Sequence, residues 1–136
     1  MIHPVHAPLM AYRWQPFVEL IEITGIDLAS ADIYLQVRLY PDQPGDPLVA
    51  LLRNDNLNAQ GLAVRFVSQD ALGLNTFTIQ IRINETTIEQ LLPFPNGTEI
   101  GAAVELAYDL VIDAPGLSKA RWMTGPFLIQ PGVTQA

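Results

Sequence analysis

The sequence contains no cysteine, which removes disulfides, thiolate metal sites and thiol nucleophiles from consideration. It is also short of positive charge, with 7 Lys and Arg against 14 Asp and Glu. Arg13, Arg38, Arg53, Arg65, Arg82, Lys119 and Arg121 are scattered along the chain, whereas nucleic-acid binding needs a basic patch that neutralises phosphates. No nucleic-acid partner is expected, and the net charge of −7 likewise disfavours an anionic membrane surface. No apolar run reaches the roughly 18 residues that a membrane-spanning helix requires. The segment from Met1 to Leu9 has no Lys or Arg and no continuous apolar core, so it lacks the form of a secretory signal. The 9 glycines are dispersed, and neither a phosphate-cradling loop nor a Gly-x-Ser-x-Gly elbow is present.

What remains is the composition of a folded chain. Of the 136 residues, 49% are hydrophobic and 15% charged, too apolar for disorder and of the right length for one domain. Period-two alternation dominates. Ile33, Leu35, Val37 and Leu39 alternate with Tyr34, Gln36, Arg38 and Tyr40; Phe77, Ile79, Ile81 and Ile83 alternate with Thr76, Thr78, Gln80 and Arg82. Val104, Leu106, Tyr108, Leu110 and Ile112 form a third such series. Successive strand side chains point to opposite faces, so each run predicts a half-buried strand. Weaker strands are expected over 17–23, 48–52, 62–67 and 120–129, the last interrupted at Gly125-Pro126 because proline cannot donate to a ladder. Turn residues separate these runs at Pro41–Asp46, Asn54–Gly61, Pro93–Gly97 and Asp113–Gly116. Asn96-Gly97-Thr98 matches a glycosylation pattern but reads better as part of a turn. About seven strands at this spacing predict an all-β antiparallel sandwich, Ig-like or jelly-roll-like. One helical turn is expected near 86–92, with capping boxes from Thr86 to Glu89 and from Thr87 to Gln90 and a stop at Pro93.

The two ends differ from the middle. Residues 1–12 and 122–136 contain no Asp, Glu, Lys or Arg. Two explanations stand side by side: a proline-rich frayed arm with a last core strand, or two ends that lie against a partner, since interface cores are depleted of charge. Aromatic residues are enriched at interfaces, which makes Tyr12, Trp14, Phe17, Trp122 and Phe127 the interface candidates. The division expected is an extended arm over 1–16, a sandwich over 17–130 and a tail over 131–136.

No catalytic, cofactor-binding or metal site emerges. His3 and His6 cannot complete a zinc shell alone, and Pro4 keeps them off a helix. Glu19 and Glu22 sit at odd spacing on a strand and face opposite ways. Glu105 and Asp109 share a face but stand about 13 Å apart, too far for an acid and a nucleophile, and read as a solvated face. Asp42, Asp46 and Asp55 sit in turns, where Asx geometry accounts for them. Asn54-Asp55-Asn56 lacks the glycine and terminal glutamate of a calcium loop.

The C-terminal third carries a family likeness. Ala107-Tyr108-Asp109-Leu110-Val111-Ile112-Asp113-Ala114-Pro115-Gly116, then Arg121-Trp122-Met123-Thr124-Gly125-Pro126-Phe127-Leu128-Ile129 and a closing Gly132-Val133-Thr134, resembles small tailed-bacteriophage virion proteins with a baseplate- or tail-fibre-type β-sandwich. The strand from Ile33 to Tyr40 with its Pro-Asp turn shares the resemblance, which covers residues 17–134 in outline. It implies a non-enzymatic structural component of a phage particle, made in the host cytoplasm and built into the virion. Its partners would be other virion proteins and copies of itself in a homo-oligomer, with no cofactor. A second reading is a carbohydrate-binding sandwich, with Tyr34 and Tyr40 on the outer face of one strand as stacking platforms.

Overall fold

The computed structural model describes residues 4–91 and 101–132. Among these, nine strands and one helix follow in order: β1 Val5–His6, β2 Leu9–Tyr12, β3 Phe17–Thr24, β4 Asp32–Arg38, β5 Val49–Leu52, β6 Gly61–Gln69, β7 Asn75–Ile83, α1 Glu85–Leu91, β8 Val104–Asp113 and β9 Ala120–Gln130. Two sheets pack face to face. The first has the order β1-β9-β8-β4-β5 with β2 also on β9, and the second the order β3-β7-β6. The seven strands from β3 to β9 reproduce the order of an immunoglobulin-type sandwich, with β3, β7 and β6 opposite β9, β8, β4 and β5. The all-β sandwich expected from the alternation is therefore the fold, and each expected strand is present.

Alternation builds the core. Ile33, Leu35 and Val37 from β4 meet Phe77, Ile79, Ile81 and Ile83 from β7 and Leu106, Leu110 and Ile112 from β8, all buried. Burying each such side chain contributes about 1.5–3 kcal/mol. The helix lies between β7 and β8 and so links the two sheets, burying Ile88 and Leu91.

Four expectations are corrected. First, the described part of the N-terminal segment is a docked strand and not a free arm. β1 and β2 pair in parallel with β9, from Val5 opposite Met123 to Tyr12 opposite Gln130. Leu9 and Ala11 are buried in the common core. The constant register makes β1 and β2 one strand, divided at Ala7-Pro8 because proline supplies no N–H. Second, β9 runs unbroken through Gly125-Pro126, and its irregularity falls beside Trp122, where the pairing shifts between Leu110 and Val111. Third, neither capping box forms. The helix begins one residue early at Glu85, with the Ile88 amide donating to the Asn84 carbonyl, while Thr87 donates to Gln60 Oε1 and Glu89 reaches across to residues 13 and 14. Fourth, the pairing is not wholly antiparallel, because the two N-terminal strands run parallel to β9. His3, residues 92–100 with Pro93 and Asn96-Gly97-Thr98, and Val133-Thr134 lie outside the described residues.

Candidate functional site

The five aromatic interface candidates separate into three groups. Phe17 and Phe127 are core residues: 4% and 0% exposed, they meet edge to face across the two sheets with ring centroids 5.3 Å apart. They hold the sandwich together and present no surface to a partner. Trp14 is half-buried in the β2–β3 connection, with φ at 69°, and its amide donates to Glu89 Oε1 at 3.0 Å. Arg13 donates to Glu89 Oε2 through Nη2 at 2.8 Å and stacks over the Trp14 ring at 4.6 Å. Trp122 sits at the β9 irregularity, half-buried against the core. Only Tyr12 is largely exposed, at 48%.

Within the charge-free ends, residues 5–12 and 123–130 are each other's partners. β1 and β2 cover the β9 edge, and a polar clasp fixes the point where the N-terminal strand divides. The Ala7 amide donates to the Thr124 carbonyl at 2.9 Å, and the Tyr108 hydroxyl donates to the Ala7 carbonyl at 2.7 Å. Tyr108 reaches over its cross-strand partner Gly125 to do so; a Cβ at Gly125 would collide with the Ala7 carbonyl oxygen. Burial, reinforced by the Glu19 carboxylate, pushes the Tyr108 phenol up to about 12.

A second clasp organises the loops of the opposite flank. Arg53 donates through Nη1 to the Leu28 and Ala31 carbonyls at 2.7 and 2.8 Å and through Nε to Asp55 Oδ1 at 2.9 Å. The Arg53 guanidinium, together with the Val64 amide, holds the Asp55 carboxyl below the usual carboxylate range. Asp55 is thus an ion-pair partner rather than a simple turn former. Its neighbours Asn54 and Asn56 do make the Asx turns, accepting from the Asn56 and Asn58 amides.

Among the described residues, two surfaces stand out as candidates for function. One is a groove on the outer face of the first sheet, with a cavity volume of about 690 Å³. Strand register explains it. Arg38, Ala107 and Pro126 form one cross-strand row; Gln36, Asp109, Thr124 and His6 form the next; Glu105 and Leu128 lie beyond. Ala107 is the short side chain at the centre, so the longer residues around it become walls. Asp109 Oδ2 accepts from Arg121 Nε at 2.9 Å. Arg38 is held from behind, donating through Nη1 to the Gln43 and Gly45 carbonyls at 2.9 and 2.6 Å and through Nη2 to Gln36 Oε1 at 3.0 Å. Tyr40, 51% exposed and just past the end of β4, completes one wall. Tyr34 lies outside the groove, beneath the Lys119 ammonium at 5.5 Å, so the two tyrosines do not form a paired platform. Glu105 and Asp109, expected as a plain solvated face, both line the groove.

The other surface is the β6–β7 hairpin. It exposes Phe66 at 60%, Val67 at 54% and Leu72 at 86%, with Leu74 beside them. Phe66 meets the buried Phe77 edge to face. Asp70, the acidic residue of the turn, accepts the Leu72 and Leu74 amides on Oδ1. A connecting turn is ordinarily polar, whereas this one exposes apolar side chains on a backbone tied to the Asp70 carboxylate.

Among the described residues there is no cluster of three or more potential metal ligands, and no helix is long and apolar enough to cross a membrane. Comparison of the chain with protein-family models and with curated proteins finds no match. The sequence points to Tyr40 at one wall of the groove, but the groove's floor and the hairpin surface were missed. The apolar turn Ala71-Leu72-Gly73-Leu74 and the small Ala107 between Glu105 and Asp109 are the signals that could have disclosed them.

Proposed function

We propose that this protein is a non-catalytic assembly module that associates with copies of itself through the β6–β7 hairpin. The observation that carries the reading is the hairpin's exposed apolar set, above all Leu72 at 86%. Large apolar side chains left exposed along one hairpin mark interaction surfaces. The choice of a second copy rests on charge. A chain of net charge −7 repels its own copies over most of its surface, and the hairpin, whose single carboxylate is engaged with backbone amides, is an apolar surface where like copies meet with little repulsion. The resemblance of residues 107–116 and 121–129 to tailed-phage virion proteins supports the finer reading of a virion as the setting, with other virion proteins as additional neighbours.

Sedimentation velocity over a range of protein concentrations tests the assembly. The wild-type chain should form a discrete oligomer, and Leu72→Asp combined with Phe66→Ser should leave a folded monomer. A wild-type chain that stays monomeric at every concentration, or a double variant that assembles normally, overturns the reading.

A further inference from the structure

We infer that the groove on the outer face of the first sheet binds a neutral polyhydroxylated ligand, a short glycan segment. This inference is independent of the assembly reading, because the groove and the β6–β7 hairpin share no residue.

Size is the first argument. A cavity of about 690 Å³ lies within the range of roughly 300–1,000 Å³ that small-molecule sites occupy. The cavity is open to solvent, which suits a piece of a chain better than an enclosed metabolite.

Charge narrows the chemistry. The lining combines the guanidinium groups of Arg38 and Arg121 with the carboxylates of Asp42, Glu105 and Asp109. An anionic ligand would meet those carboxylates, and a cationic one would meet the two guanidinium groups. The floor mixes donors and acceptors: Arg38 and Gln36 on β4, Asp109 on β8, and on β9 Thr124, whose hydroxyl donates to the Tyr108 carbonyl at 3.4 Å and can accept from a ligand. A hydroxyl is both donor and acceptor, so a row of neighbouring hydroxyls satisfies such a surface where a group of single polarity cannot.

The polar groups are also fixed in advance. Arg38 is locked by two backbone carbonyls and the Gln36 amide oxygen; three of its five N–H groups are engaged there, and two are left for a ligand. Asp109 is held through Oδ2 by Arg121, with Oδ1 on the other side of the carboxylate. Groups held this way lose little freedom on binding, which is how a shallow site gains affinity. Tyr40 and Pro126 supply apolar faces at the walls, and Ala107 leaves the floor open for a ring to settle between them.

The test is backbone-amide NMR on the full-length chain, titrated with neutral gluco-, manno-, xylo- and galacto-oligosaccharides and with charged oligogalacturonate and chitosan oligomers. At least one neutral oligosaccharide should shift the amides of Arg38, Tyr40, Ala107, Asp109 and Thr124 together. Tyr40→Ala and Asp109→Asn should each weaken that binding by about tenfold, the equivalent of one directional contact. Ala107→Phe should abolish it by filling the floor, while the rest of the spectrum stays that of the folded protein. The double hairpin variant should bind as the wild type does. If no neutral oligosaccharide shifts these amides, if the shifts lie elsewhere, or if a charged oligomer binds more tightly than every neutral one, the inference is wrong.

Discussion

Replacing Tyr108 with Phe removes one oxygen atom, and its consequences can be worked out over the whole alkaline range. At neutral pH the hydroxyl donates to the Ala7 carbonyl at 2.7 Å from a side chain only 3% exposed. Deleting it leaves that carbonyl without its side-chain donor, which costs about 1–2 kcal/mol. The same phenol is pushed up to about 12 by burial, with Glu19 adding to the effect, whereas in the unfolded chain it titrates near ~10. Between those two values the unfolded state has released its proton and the folded state has not. Stability therefore falls as pH rises through this window. Two units of displacement correspond to about 2–3 kcal/mol, similar to or larger than the hydrogen bond's contribution. The wild type should accordingly exceed Tyr108→Phe in stability below pH ~10 and lose that advantage by pH ~12. Urea unfolding of both proteins at closely spaced alkaline pH values reads the difference directly, because Tyr12, Tyr34, Tyr40 and the other titrating groups are common to both and cancel. A difference that stays constant across the window would refute the buried, donating phenol on which the clasp depends.

Two further outcomes follow from the way the ends are held. Leu9→Ala should lower stability by about 2–4 kcal/mol in urea unfolding, because Leu9 is buried in the common core, and Gly125→Val should destabilise comparably through its collision with the Ala7 carbonyl; wild-type stability in either would mean that the N-terminal strand is not docked on β9. At acid pH, Asp55→Asn should flatten the decline in stability, since a carboxylate held low in the folded state contributes above its unfolded value near ~3.9 and loses that contribution as pH falls through its lowered folded value. Acid unfolding curves of identical slope in the variant and the wild type would contradict the Arg53–Asp55 pairing.

Strands were legible where one face is core and the other solvent. The series Phe77, Ile79, Ile81 and Ile83 and the series Leu106, Tyr108, Leu110 and Ile112 are buried throughout, and the alternation alone locates both. The N-terminal strand escaped because its partner lies more than a hundred residues away. The alternation of buried Leu9 and Ala11 with exposed Met10 and Tyr12 is too short to stand out, and the flanking Pro4 and Pro8 read as an arm. Local chemistry misled at α1, where Thr86 and Glu89 have capping-box spacing. A tertiary demand prevailed there, since Glu89 satisfies Arg13 and the Trp14 amide, which no local pattern encodes. The groove depends on which residues stand side by side on β4, β8 and β9. Register of that kind is settled by the fold.

The placement of the ends also decides what kind of association the sandwich can support. A free β9 edge would invite a neighbour's strand, but β1 and β2 already occupy it. The edge they create is broken at Ala7-Pro8, where no regular ladder can continue. β5, at the far edge of the same sheet, is only four residues long. In the second sheet, β3 carries Glu19 in register with the buried Ile81, so a charge sits on its inward face, and β6 is irregular between Phe66 and Ser68. Short length, proline, an inward charge and a bulge are the means by which sheets refuse further strands, and each exposed edge has one of them. Association by strand addition is thereby disfavoured on every side. Contacts with other molecules would fall instead to side chains on finished surfaces, such as the apolar hairpin and the polar groove. The charge missing from the two ends reflects their packing against one another, and the acidic middle of the chain furnishes the solvated surface.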